Sequence, residues 1–391
     1  MLDMFIGDSA YIFFKVLWWV LVGVLFVGFA TMDGHDMGVG SLLPFAGKTD
    51  EERRAIINTI GPHWDGNQVW FITAGGALFA AWQFVYAAAF SGLYLALLAV
   101  LWCLFFRPTG FDYRSKINDP SWRKMWDWAL FAGSFGPALL FGVAFGNLLI
   151  GLPFHYDTDT LRPLFDKGPF FLFVTLLHPF ALICGLVSAG MLVFHGSVFL
   201  ALRTEGDIQA RTLKIMPYAL GVALGAFTLA GIWTFFREGY ALQNASAALY
   251  AAAPDPTIQQ VARGVPLLHN YYSMPFLFLF PILGYAGLIG AFVLVKAEKM
   301  FIAFWSSAVG MLGIICTAGI ALFPFVMPSY SEPNHSLTLW NVTASNYTLA
   351  LMTIVTVIAV PILITYTGWC YYLMRGKVTT DFIRKNDHSA Y

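Results

Sequence analysis

Charge is what this sequence has least of. Asp, Glu, Lys and Arg make up only 11% of its 391 residues, against about 25% in a soluble domain. From Gly66 to Phe106 there are 41 consecutive residues without one of them. As a helix that run would be about 60 Å long, twice the ~30 Å of a bilayer core. It predicts two membrane spans joined almost directly. The balance of Lys and Arg against Asp and Glu is zero, which removes any electrostatic case for nucleic acid. The four cysteines, Cys103, Cys184, Cys316 and Cys370, form no CxxC pair. A disulfide framework or a cysteine zinc site is thereby set aside. Met1 to Ala10 carries Asp3 and Asp8 and no basic residue, so it lacks the positive start of a signal peptide and reads as a retained first span. A P-loop, a glycine-rich phosphate cradle and a nucleophile constellation are also missing.

What is present is apolar and helical. The chain is 58% hydrophobic, in long runs rather than the short alternating segments of a β-barrel. One integral membrane domain, residues 1–391, is expected. Its nine spans are read near 10–32, 56–80, 83–106, 126–150, 170–201, 213–236, 272–295, 300–327 and 347–374. Alternate loops divide the basic residues seventeen to five. That bias places the N-terminus outside and the C-terminus in the cytoplasm.

Two acidic segments stand out at the inner ends of spans. Asp33-Gly34-His35-Asp36 follows span one. Its acids share a helix face if the helix continues, and lie in a solvated loop if it does not. The second segment is Pro62-His63-Trp64-Asp65-Gly66-Asn67-Gln68. If span two begins upstream, near Ile56–Ile60, Asp65 sits below the membrane surface. An acid there is expensive unless paired, protonated or hydrated, and is a functional candidate by default. A fixed ion pair to a neighbouring span or subunit is the alternative. The histidines, among them His178 and His195 on one span, do not form two opposed pairs. This argues against a bis-histidine haem made by this chain alone. The basic stretch from Arg107 to Lys124 needs no reading beyond an inner-face anchor.

Several strings carry a resemblance: DGHDMGVGSLLPF (33–45), TDEERRAIINTIGPHWDGNQVWFITAGGALFAAW (49–82), VYAAAFSGLY (85–94), FFRPTGFDYRSKI (105–117), WRKMWDW (122–128), GVAFGNLL (142–149), TAGIALFPFVMPS (317–329) and SLTLWNVTAS (336–345). Through them the chain resembles subunit II of the cytochrome bd quinol oxidases over nearly its whole length. The resemblance implies an all-α fold of nine transmembrane helices, two four-helix bundles plus one. It implies a complex in the bacterial inner membrane that oxidises quinol and reduces O2 to water. Subunit I would ligate haem b558, haem b595 and haem d, and this chain would ligate none. A bound quinone and a small third subunit are further implied possibilities. The family generates proton motive force without pumping, and its cytoplasmic proton path maps onto Asp36 and Asp65, with Trp64, Asp33 and His63 beside them. Two positions depart from the familiar pattern. His35 stands where an aromatic residue is usual; of its two readings, a member of the proton path or a helix-end cap, the cap is favoured here. Gln83 stands where proline is common.

Overall fold

The computed structural model describes residues 8–243 and 254–385. The first helix, α1 (Asp8–Ala46), is 39 residues long, about 58 Å at ~1.5 Å per residue. It does not stop at Asp33. The segment left open between helix and loop is helix interior, and Asp33, His35 and Asp36 are all fully buried.

Next comes an amphipathic helix, α2 (Asp50–Ile60), opened by a capping box. Thr49 accepts from the Glu52 amide, and the Glu52 carboxylate accepts from the Thr49 amide. Because α2 ends at Gly61, the next helix, α3 (Trp64–Ala81), begins at Trp64 and not upstream. The expected span 56–80 is corrected accordingly. The long charge-free run holds most of α3, a short helix α4 (Gln83–Gly92) and most of α5 (Tyr94–Tyr113). A helical elbow at the end far from Asp65 therefore joins the two legs, where a tight turn was expected.

Helices α6 (Pro120–Ile150), α7 (Pro169–Leu176), α8 (Pro179–Arg203) and α9 (Gly206–Phe235) follow. A short turn of helix, α10 (His269–Ser273), leads to α11 (Leu279–Lys296), α12 (Met300–Leu322), α13 (Asn346–Leu373) and α14 (Thr380–Lys385). Among the described residues eight helices are long and apolar enough to cross a membrane. The 18-residue α3 is not one of them, because its first turns carry Asp65, Asn67 and Gln68.

Neighbour relations sort the long helices into two sets. In one, α1 packs beside α3 and α6, and α6 beside α5. In the other, α8, α9, α11 and α12 close a ring. Helix α8 also lies against α1 and α6 and joins the sets. The α1–α8 crossing is glycine on glycine: a Cβ on Gly196 of α8 would come within 2.6 Å of the Val39 backbone nitrogen of α1. Small residues at a crossing let backbones meet and gain dispersion contacts that lipid cannot replace. Helix α13 stands outside both sets, its apolar surface largely uncovered.

The two ends of the molecule differ. At the α2 end, charged loops are tied together. Asp127 accepts from Arg114 Nε (2.6 Å) and Arg53 Nη1 (2.7 Å), Asp50 from Arg123 (2.6 Å), and Glu51 from Arg384 (2.7 Å). These are loops of the basic-rich set, and the structure gathers them at one end. At the other end three antiparallel hairpins form a cap: β1 (Phe154–Tyr156) with β2 (Pro163–Phe165), β3 (Glu238–Leu242) with β4 (Val261–Pro266), and β5 (Phe325–Met327) with β6 (Leu337–Thr338). Cross-links such as Gln259 to Thr338 (2.6 Å) and Tyr156 to the Phe84 carbonyl (3.0 Å) bind the cap to itself and to α4.

Candidate functional site

Where the two helix sets meet, toward the α2 end, polar side chains gather inside an otherwise apolar core. Helix α1 supplies Asp33, His35 and Asp36, the turn before α3 supplies His63, α3 supplies Asn67, and α13 supplies Tyr371. Phe199 and Phe304 pack on the His35 ring, at centroid distances of 4.1 and 5.7 Å.

Asp33 and Arg107 form a two-pronged pair, with nitrogen–oxygen distances of 2.9 and 2.6 Å. Both side chains are out of solvent. The half-buried ring of Trp64 covers the guanidinium, 5.6 Å from its centroid, and rests on Phe111 at 5.2 Å.

Asp36 is treated differently. Its Oδ2 accepts from Asn67 Nδ2 at 2.7 Å. Its Oδ1 has no hydrogen-bond partner among the described residues, although His35 Nε2 is 3.3 Å away and His63 Nδ1 is 3.6 Å away. The other nitrogen of each ring faces the carbonyl four residues back: His35 Nδ1 faces Thr31 at 3.0 Å, and His63 Nε2 faces Thr59 at 3.0 Å. A carbonyl only accepts, so those nitrogens carry the hydrogens. The nitrogens turned toward Asp36 are therefore lone-pair atoms in the neutral rings. Tyr371 Oη completes the cluster, 3.3 Å from each of these two nitrogens and 2.7 Å from Asn67 Nδ2.

The expected site residues thus divide. Asp33, Asp36 and His63 meet in one buried cluster with Trp64 on its flank, whereas Asp65 does not join them. Asp65 stands in the first turn of α3 and is exposed on this chain. It makes no hydrogen bond or ion pair to Asp36. The expectation that it lies below the surface rested on an upstream helix start, which the break at Gly61 removes. His35 is not a helix-end cap either, because eleven further helical residues follow it. Arg107 was read as an anchor but is the partner of Asp33. Tyr371 gave no signal, lying 304 residues from Asn67 in sequence.

His195 has both ring nitrogens engaged, with Ser307 Oγ at 2.6 Å and the Thr31 carbonyl at 3.0 Å. His178 Nδ1 accepts the Phe180 amide and caps α8. The apolar cavity of about 180 Å³ between α1, α6, α8, α9 and α12 is lined by Phe29, Phe141, Phe227 and similar residues, with no imidazole.

The chain matches the family model for cytochrome bd terminal oxidase subunit II over residues 14–374. It belongs to that family. Cytochrome bd-I ubiquinol oxidase subunit 2 of Escherichia coli is 50% identical over 379 residues, covering 96% of this chain and 98% of the relative. A probable cytochrome oxidase subunit 2 of Haemophilus influenzae is 48% identical over 381 residues, covering 97% and 99%. The cytochrome bd ubiquinol oxidase subunit 2 of Bacillus subtilis is 32% identical over 363 residues, covering 93% and 96%. Among solved structures, a chain of the bd oxidase from Geobacillus thermodenitrificans superposes with a TM-score of 0.66 at 13% identity, covering 93% of this chain and 98% of that one. That likeness concerns the fold. As a member of this family, the chain is a subunit of a bd-type quinol oxidase complex in the membrane.

Proposed function

We propose that this chain is the non-haem subunit of its oxidase and carries protons from the cytoplasm toward the O2-reducing centre of subunit I. Subunit I would ligate haem b558, haem b595 and haem d and oxidise quinol. The complex would build proton motive force without pumping, by drawing the protons for water from the cytoplasm. In this reading the α2 end faces the cytoplasm with the C-terminus, and the N-terminus is periplasmic.

The observation that carries the proposal is the Asp36 carboxylate. It is fully buried, one of its oxygens has no partner among the described residues, and His63, Asn67 and Tyr371 connect it to the turn at Gly61–Pro62, where Pro62 is exposed. Neighbours 3.3 to 3.6 Å apart let a proton pass with small side-chain rotations. Asp65 and Trp64 would act at the rim, on surface open to a partner subunit. Asp33 would hold Arg107 in place and thereby set the field around Asp36. The apolar cavity suits the prenyl tail of a bound quinone, since such a space stays dry. A small third subunit would find uncovered apolar surface on α13.

The test uses the intact complex in proteoliposomes. Asp36→Asn and Asp65→Asn are each expected to lower quinol-driven O2 uptake and membrane potential at least about tenfold with haem content unchanged. Unchanged turnover and potential at normal haem content overturn the proton route. Loss of haem b595 and haem d instead assigns the residue to assembly.

A further inference from the structure

The cluster has one more property, which a proton route does not require. His35 Nε2, His63 Nδ1, Asp36 Oδ1 and Tyr371 Oη are four electron-rich atoms facing one another. The first three all lie within 4.8 Å of one another. Four of the edges among the full set are 3.3, 3.6, 3.3 and 3.3 Å. A tetrahedron with zinc-to-nitrogen or zinc-to-oxygen bonds of about 2.0–2.1 Å has edges of ~3.4 Å.

The outer partners fit as well. A metal-bound histidine almost always donates its other N–H to a carbonyl or carboxylate, which fixes its tautomer. Both histidines do so here, to Thr31 and Thr59. A ligating carboxylate is itself hydrogen-bonded, and Asn67 fills that role on Asp36 Oδ2. Asp36 Oδ1, the oxygen aimed into the centre, is the one left without a partner. Asn67 already bonds His63 Nδ1 at 3.1 Å and Tyr371 Oη at 2.7 and 3.0 Å; a divalent cation would replace those contacts, with the phenol proton released to solvent, and would supply the partner that Asp36 Oδ1 lacks among the described residues.

We propose that His35 Nε2, His63 Nδ1, Asp36 Oδ1 and Tyr371 Oη form a binding site for one divalent transition-metal ion of the zinc type. Two imidazoles disfavour Mg2+ and Ca2+, which take oxygen ligands in six- to eight-fold shells. The entry path is the turn before α3, where the His63 side chain is 7% exposed. A bound ion takes the lone pairs a travelling proton would use, so occupancy would close the route proposed above. The metal site itself does not depend on that route.

The test reads metal content, not turnover. The purified complex is stripped with a chelator, dialysed against Zn2+, desalted and assayed by mass spectrometry for zinc per haem. The wild type is expected to retain one equivalent, with an absorption-edge spectrum showing two imidazoles and a first shell near 2.0 Å. His35→Phe and Tyr371→Phe are expected to weaken zinc binding at least about tenfold, with assembly checked by size exclusion and the haem spectrum. Equal zinc in wild type and His35→Phe overturns the proposal, as does an all-oxygen shell in the wild type. The wild-type spectrum decides the matter alone if a variant fails to assemble. Failure here leaves the proton route standing, because that route is tested by membrane potential.

Discussion

Arg107 reaches from α5 to grip both carboxylate oxygens of Asp33 on α1, at 2.9 and 2.6 Å, with neither side chain in contact with water. Removing one partner of a buried pair leaves an uncompensated charge and costs about 3–5 kcal/mol. Asp33→Asn is therefore expected to destabilise the complex by about that amount. Thermal unfolding in detergent measures it, and a melting temperature equal to the wild type would show that the pair holds nothing together.

The crossing of α1 and α8 gives a second expectation. A Cβ on Gly38 would lie 2.7 Å from the Gly196 Cα, and backbone cannot yield as a flexible side chain can. Gly38→Ala should force the helices apart and cost at least the ~1–3 kcal/mol of ordinary overpacking. Because Asp36 lies two residues away, the same change should disturb the polar cluster. Melting temperature and haem retention read the effect; a variant as stable as the wild type would mean that the crossing is slacker than its geometry.

A pH dependence follows from Glu52 in α2. Partial burial pushes its carboxyl up, but the Arg211 guanidinium and the Lys48 and Thr49 amides outweigh this and hold it below its ordinary value of 4.5. A folded-state value below the unfolded one adds stability above the unfolded value, and that stability is lost as pH falls through the folded one. Glu52→Gln should thus melt lower than the wild type at pH 7, with the gap closing toward pH 3. A gap independent of pH would remove the carboxylate from the account.

Much of the fold is legible in the residues because lipid imposes simple terms. Backbone groups must be satisfied internally, so apolar runs of sufficient length become helices. The run from Gly66 to Phe106 shows the limit of that reasoning. Hydropathy says that it crosses the bilayer, but it does not reveal that Gly61 ends one helix or that α4 forms an elbow. The elbow meets the hairpin cap through Tyr156 and the Phe84 carbonyl, a contact between residues 72 apart in sequence that no local pattern carries. His35 makes the same point within the site. Its neighbours suggested a helix end, and only the packing of α8 and α12 around it shows a helix interior.

The sequence by itself determined the class of the molecule, the places where charge collects, and the family, because composition and ordered strings need no geometry. Only the tertiary structure decided that Asp36 faces His63 and Tyr371 inside the protein while Asp65 faces outward. The reason is physical. A helix in lipid is apolar all round, so its sequence carries little trace of which side meets another helix. Asp65 and Asn67 are two residues apart on α3, and the helix turn alone sends one to the surface and the other to the core.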